Sequence, residues 1–292
     1  MKIDNIVFYN WGHNGDIHYS KEFVKDLIKK IKAPAFYQTK CNKNILKDVN
    51  VEVVPFSMDR FIEHEILFEN TKNNLFINTW IGSSNRVYLI NGGCCLDGNY
   101  KKYQKIYDSL NLKIEKKIYY IPEINFNLIL KDNIDIFLSK YVDVKKILFC
   151  NGNVLSGQAI NFNMNDIILE LANKYKDCLF ILTDSSNPLN KDNIKYTKDI
   201  INIRDNDLNE ISYISTFCDI IIGRGSGPYC FSTIKSNLLN KNKIFIGFTN
   251  LIEDAKWANN IELNIDGAEQ IWYNQNDKNV IIEIIENKIK NL

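Results

Sequence analysis

Apolar residues recur along this chain in two alternating rhythms. Short runs rich in β-branched and aromatic residues, such as 3–9, read as buried strands. The stretch 17–31 instead places Phe23, Leu27 and Ile31 four apart, the spacing of an amphipathic helix. Between the two lies a polar, glycine-rich turn, Trp11-Gly12-His13-Asn14-Gly15-Asp16, with Asp16 placed as the N-cap or first-turn acid of the helix. The same reasoning predicts strands at 35–38, 51–55, 75–78 and 87–90, and helices around 58–68, 100–110 and 124–141. Strands that alternate with helices imply βα units and a mostly parallel sheet.

The pattern then starts again. A strand at 146–150 leads into the polar loop 151–158 and a helix at 165–176. Further strands are predicted at 178–182, 200–203, 219–222 and 243–248. A short helix is predicted at 208–217, another from the 224–228 loop to about 236, and helical turns at 251–257 and 280–290. The chain therefore divides into two α/β halves, 1–142 and 143–292, each opening with strand, polar loop and helix. No long linker separates them, so the halves are expected to face each other across a cleft. Ligands of open α/β sheets bind outside the carboxyl ends of the strands.

Composition narrows the function classes. The 292 residues are 45% hydrophobic and 24% charged, enough apolar material for large cores. The formal net charge of +1 argues against a dedicated nucleic-acid binder. No run of ~18 apolar residues offers a transmembrane helix, and the first residues, with an acid at Asp4, do not read as a secretory signal. Seven cysteines, an odd number without a CxxC pair, suggest free thiols in a reducing compartment, the cytoplasm. His13, His18 and His64 lack Cys partners at zinc-ligand spacing, and no metal site is expected.

Three loops carry candidate chemistry. In the first, the N-terminus of the helix after Gly15 favours an anion, and the Asp16 carboxylate is either a cap or a general base. His13 and His18 flank it as possible assistants. The second, Arg224-Gly225-Ser226-Gly227-Pro228, follows an apolar strand and opens a helix. Its glycines allow close backbone approach, Ser226 supplies a hydroxyl, and Arg224 suits a bidentate phosphate contact. The spacing is neither a P-loop nor GxGxxG. The third, 151–158, offers Asn151, Gly152, Asn153, Ser156 and Gln158 as uncharged donors or close-approach positions, with Asp184 after the next strand. Asp205-Asn206-Asp207 reads either as a metal-holding acid pair or, with Glu210, as a capping box; the cap is preferred. Trp80 and Trp257 are stacking candidates or core residues.

Two patches together resemble the ADP-heptose:lipopolysaccharide heptosyltransferase family of two-domain GT-B glycosyltransferases. One is Gly15-Asp16 before the first helix. The other is Leu208-Asn209-Glu210-Ile211, the strand Asp219-Ile220-Ile221-Ile222, and Ser226-Gly227-Pro228. The resemblance implies two Rossmann-like domains, with the nucleotide-sugar donor mainly on the second and a glycan or glycolipid acceptor on the first. It implies Asp16 as the base, with Ser226 and Gly227 at the donor phosphates. It also implies a final helix that crosses back to the first domain. No cofactor is expected beyond the donor itself, and no metal. The chain departs from the family at Gly225 and Cys230, where the family carries Asp and His, and near Gly157 and Gln158, where it carries Lys. The donor sugar is therefore left open. An epimerase on the same fold and a non-catalytic sugar-nucleotide binder are the alternatives.

Overall fold

The first strand, β1 (Asn5–Asn10), is buried on both faces and becomes the centre of a sheet. β2 (Ala35–Thr39) pairs parallel to it on one side and β5 (Asn74–Asn78) on the other. β3 (Glu52–Pro55) extends the β2 side, and β4 (Ile66–Glu69) closes the β5 side antiparallel, giving the order β3-β2-β1-β5-β4. A computed structural model describes residues 2–10, 14–56, 66–69, 73–80, 95–154, 159–202, 207–225, 227–250 and 266–292.

Helix α1 (Asn14–Ile31) buries Ile17, Phe23, Val24 and Leu27. It packs on α2 (Cys95–Ser109) through an aromatic stack. The ring of Phe23 lies 4.4 Å from Tyr103 and 4.1 Å from Tyr120, both nearly parallel to it. On another face of α1, Lys21 and Asp48 form a fully buried ion pair at 2.5 Å, and Lys25 adds a second contact to Asp48 at 2.9 Å. These contacts define a compact unit, Met1–Ile124.

The second unit runs Asn125–Leu292, so the boundary lies earlier than the expected 142/143. The segment after 124 belongs to it because its side chains bond there. Phe126 packs on Tyr213 at 5.0 Å, and the Tyr213 hydroxyl donates to Asp135 at 2.7 Å. The segment is not the single helix expected. A turn at 126–128 precedes α3 (Asp132–Leu138), because Asn125 caps the turn and the Leu130 N–H turns away to Glu210.

In this unit β6 (Lys145–Cys150) is central. β7 (Cys178–Leu182) and β8 (Ile194–Tyr196) lie to one side. β9 (Ile220–Arg224), β10 (Ile244–Phe248) and β11 (Glu269–Tyr273) lie to the other, all parallel. α4 (Met164–Lys174) and α9 (Lys278–Ile289) cover one face through Ile168, Leu171, Ile281 and Ile285. The final helix thus packs into the core of the second unit. α5 (Thr197–Ile201) stands where a strand was predicted at 200–203; Asn202, in the left-handed region at φ 55°, ends it. α6 (Leu208–Thr216) is followed across β9 by α7 (Gly227–Ser232) and α8 (Lys235–Leu238), two short pieces in place of one predicted helix. The helix predicted at 58–68 is a strand over its described part, β4, because its apolar residues pair with β5. The strand at 87–90 and the turn at 251–257 lie outside the described residues.

No helix among the described residues is long and apolar enough to cross a membrane.

Candidate active site

Both sheets begin at their centre and then spread to either side, so each has a topological switch point. In the first unit it lies between β1 and β5, in the second between β6 and β9. Such a crevice, at the carboxyl ends of the strands, is where open α/β sheets bind ligands.

The first switch point is lined by a buried polar layer. Thr79, just after β5, donates its hydroxyl to the Tyr9 carbonyl at 3.0 Å and accepts from Asn10 Nδ2 at 3.3 Å. The Tyr37 hydroxyl lies 2.6 Å from the same oxygen. Beside it, Lys102 of α2 is buried and donates its ammonium to the Trp80 carbonyl at 2.9 Å. Asp16 sits in the first turn of α1, as the sequence implied, and Gly15 is half-buried before it. Burial pushes the Asp16 carboxyl up to about 7, while the Lys102 charge pulls it the other way. Asp16 in turn raises Cys41 and Tyr37, a secondary effect beside the burial of those groups. A carboxyl near neutrality is poised for proton transfer.

His18 is not available as an assistant. It is wholly buried, and burial together with the charges of Lys21 and Lys25 holds its imidazole neutral, well below the usual range. His13 lies outside the described residues.

The second switch point is built differently. Asn151, directly after β6, ties the end of β7 to β6. Its Oδ1 accepts from Asp184 N at 2.8 Å, and its Nδ2 donates to Asp184 O at 2.9 Å. The Asp184 carboxylate is used within its own turn, accepting from Ser186 N at 3.0 Å and Ser186 Oγ at 2.8 Å. Gly152 is half-buried and Asn153 exposed.

Arg224 departs from the sequence reading. It ends β9 as the largest fully buried side chain among the described residues, and its guanidinium is held by carbonyls. Nε donates to Ile160 O at 3.0 Å, and Nη1 to Gly152 O at 3.1 Å and Asn151 O at 3.3 Å. Nη2 donates to Phe162 O, and the guanidinium stacks on the Phe162 ring at 4.6 Å. It therefore does not present a bidentate face to a phosphate.

Close packing explains the glycines next to this edge. A Cβ on Gly223 would stand 2.6 Å from Cys150 Cβ and 3.2 Å from the Tyr229 ring. On Gly247 it would overlap the Trp272 ring. The two glycines are cross-strand neighbours, and their bare backbones let Tyr229 and Trp272 lie against the sheet. Gly225 and Gly227, at the start of α7, are half-buried, and Cys230 is buried. Ser226 and Gln158 lie outside the described residues.

The expected capping box at α6 does not form. Asp207 occupies the N-cap position without a side-chain bond, and Glu210 is buried, accepting from Leu130 N at 3.4 Å. Asp205 and Trp257 are outside the described residues; Trp80 is half-buried. Among the described residues no three His, Cys, Asp or Glu side chains converge as a metal cluster.

Sequence reasoning missed Lys102. The signal was present: Leu96, Asn99, Lys102, Tyr103 and Ile106 form one helical stripe, and a lysine inside such a stripe needs a buried partner.

No protein-family model matches this chain. No characterised protein sequence matches it either. Solved structures do. A glycosyl transferase of family 9 from Veillonella parvula superposes with a TM-score of 0.54 at 11% identity, over 100% of this chain and 91% of that one. The E. coli heptosyltransferase WaaC, solved with ADP, gives 0.52 at 7% identity over 97% and 99%. S. aureus MnaA, solved with UDP, gives 0.52 at 10% identity over 98% and 88%. The fold is of the GT-B type. At these identities the likeness is one of architecture, an α/β chain of two Rossmann-like units. It places Asp16 and the edge after β6 and β9 within a GT-B framework, and leaves their roles to their own chemistry.

Proposed function

We propose that this chain is a glycosyltransferase that moves a sugar from a nucleoside diphosphate-sugar to a hydroxyl of a glycan or glycolipid. The observation that carries the reading is Asp16, an acid near neutrality at the switch point of a GT-B first unit. Asp16 removes the proton from the acceptor hydroxyl. The freed oxygen forms a bond to the anomeric carbon as the bond from that carbon to the diphosphate breaks, and the nucleoside diphosphate leaves with its electron pair. The donor lies at the carboxyl edge of β6 and β9, where Gly225 and Gly227 permit close backbone approach. Ser226 is its hydroxyl donor. In this reading charge stabilisation comes from the chain, metal is not required, and the protein works in the cytoplasm.

The test is a thermal-shift screen with UDP, GDP, ADP, CMP and their common sugars, with chelator and with Mn²⁺, followed by product analysis. A ligand at 100 times its dissociation constant adds ~2.7 kcal/mol of stability. Stabilisation by one nucleotide in chelator, with sugar transfer to an added acceptor, is the expected result. A response that needs Mn²⁺ would end the metal-free form of the proposal. Turnover of the donor without any acceptor would make the chain an epimerase, and no response to any nucleotide would favour an interaction protein.

A further inference from the structure

Arg224 is a cation buried at the end of β9. Among the described residues no carboxylate pairs with it; its described partners are four carbonyls and the Phe162 ring. Those carbonyls come from two separate stretches, Asn151 and Gly152 on one side and Ile160 and Phe162 on the other. The same stretches are joined again by Asn161, whose side chain accepts from Val154 N and donates to Val154 O, each at 2.9 Å. Four of the five guanidinium hydrogens are taken by carbonyl dipoles, which leave its unit charge in place. Charges in a low-dielectric interior are screened far less than at a surface.

From this we infer that Arg224 is a positioning residue for the donor that acts without touching it. It holds residues 151–154 and 159–162 against the end of β9 and sets a fixed positive charge beneath the second switch point, where a diphosphate would lie. The inference rests on the proposed donor-binding role of this edge, and it names the ligand feature recognised: the diphosphate charge. A carbonyl-held cation is already oriented before the ligand arrives, so little reorganisation accompanies binding.

Isothermal titration of the full chain with ADP, GDP and UDP tests it. For the nucleotide that binds wild type, Arg224→Met should weaken affinity at least tenfold. Arg224→Lys, which keeps the charge and loses most of the carbonyl bonds, should recover a clear part of that loss. Binding by Arg224→Met within twofold of wild type, or equal losses in Met and Lys variants, would overturn the inference while the donor reading stands. Should the Arg224 variants not fold, exposed Asn161 provides the second arm. Asn161→Asp adds a negative charge between two of the arginine's carbonyl partners and should bind at least fivefold more weakly than Asn161→Ala; equal affinities overturn the inference. No binding of any nucleotide by wild type removes the donor reading itself, and this inference with it.

Discussion

The two switch points solve opposite problems with the same topology. The first unit holds a group that titrates near neutrality, Asp16, with Lys102 buried beside it and the hydrogen-bonded Thr79, Tyr37 and Asn10 at the same switch point. The second gathers groups that do not titrate near neutral pH, amides and glycines around a permanently charged arginine. A proton-transfer site needs a pKa close to the working pH, which burial supplies. A site for an already ionised ligand needs fixed dipoles and close backbone approach. Under the proposed function, one unit would do the chemistry and the other would hold the donor.

The sharpest way to break this contrast is Asp16→Asn. Turnover should fall by on the order of 10²–10⁴-fold, while nucleotide affinity, which the proposed function assigns to the second unit, stays within twofold by titration calorimetry. Equal damage to both would erase the division of labour. The same variant has a stability signature. A carboxyl whose folded pKa, about 7, lies above its unfolded value favours the protonated fold, so its contribution is present at low pH and is lost as pH rises through about 7. Asp16→Asn should therefore raise the melting temperature more at pH 8 than at pH 5.

A smaller effect is expected from Gly247→Ala. The added carbon meets a rigid aromatic ring, and overpacking of this kind costs ~1–3 kcal/mol. Chemical denaturation would measure it, and an unchanged midpoint would show that Trp272 moves freely. Lys102→Met comes next. It removes the charge that lowers the Asp16 pKa, so the acid limb of the rate profile should move to higher pH with little loss at the plateau. A limb that stays in place would separate Lys102 from Asp16. The smallest effect belongs to Asp207→Ala. Without a cap bond to lose, stability should change by less than ~0.5 kcal/mol; a loss above 1 kcal/mol by denaturation would restore the cap.

Much of this architecture was readable in residue order. Strands such as 178–182 and helices such as α1 announce themselves by period, and Asp16 falls where the turn before α1 implied. What was not readable depended on partners distant in the chain. Residues 66–69 pair with β5, and Ile200 and Ile201 enter the core from a helix after a three-residue strand. At the site, Arg224 was found by its position and misread in its role. Side-chain direction at a strand end is set by the folded loop opposite, here residues 151–162, which no local motif encodes. Lys102 and Thr79 reach Asp16's neighbourhood only through sheet pairing and α1–α2 packing.

Trp272 has a consequence for observation. Its ring rests over Gly247, lies 5.3 Å from the Tyr229 ring and would meet a Cβ on Gly225 at 3.8 Å. Trp80 stands at the corresponding edge of the other sheet, where its carbonyl receives Lys102. Trp80 and Trp272 are two of the chain's four tryptophans, and the emission lost on replacing either with phenylalanine reports on its own sheet. Difference spectra between the parent and each variant would then follow the two switch points separately.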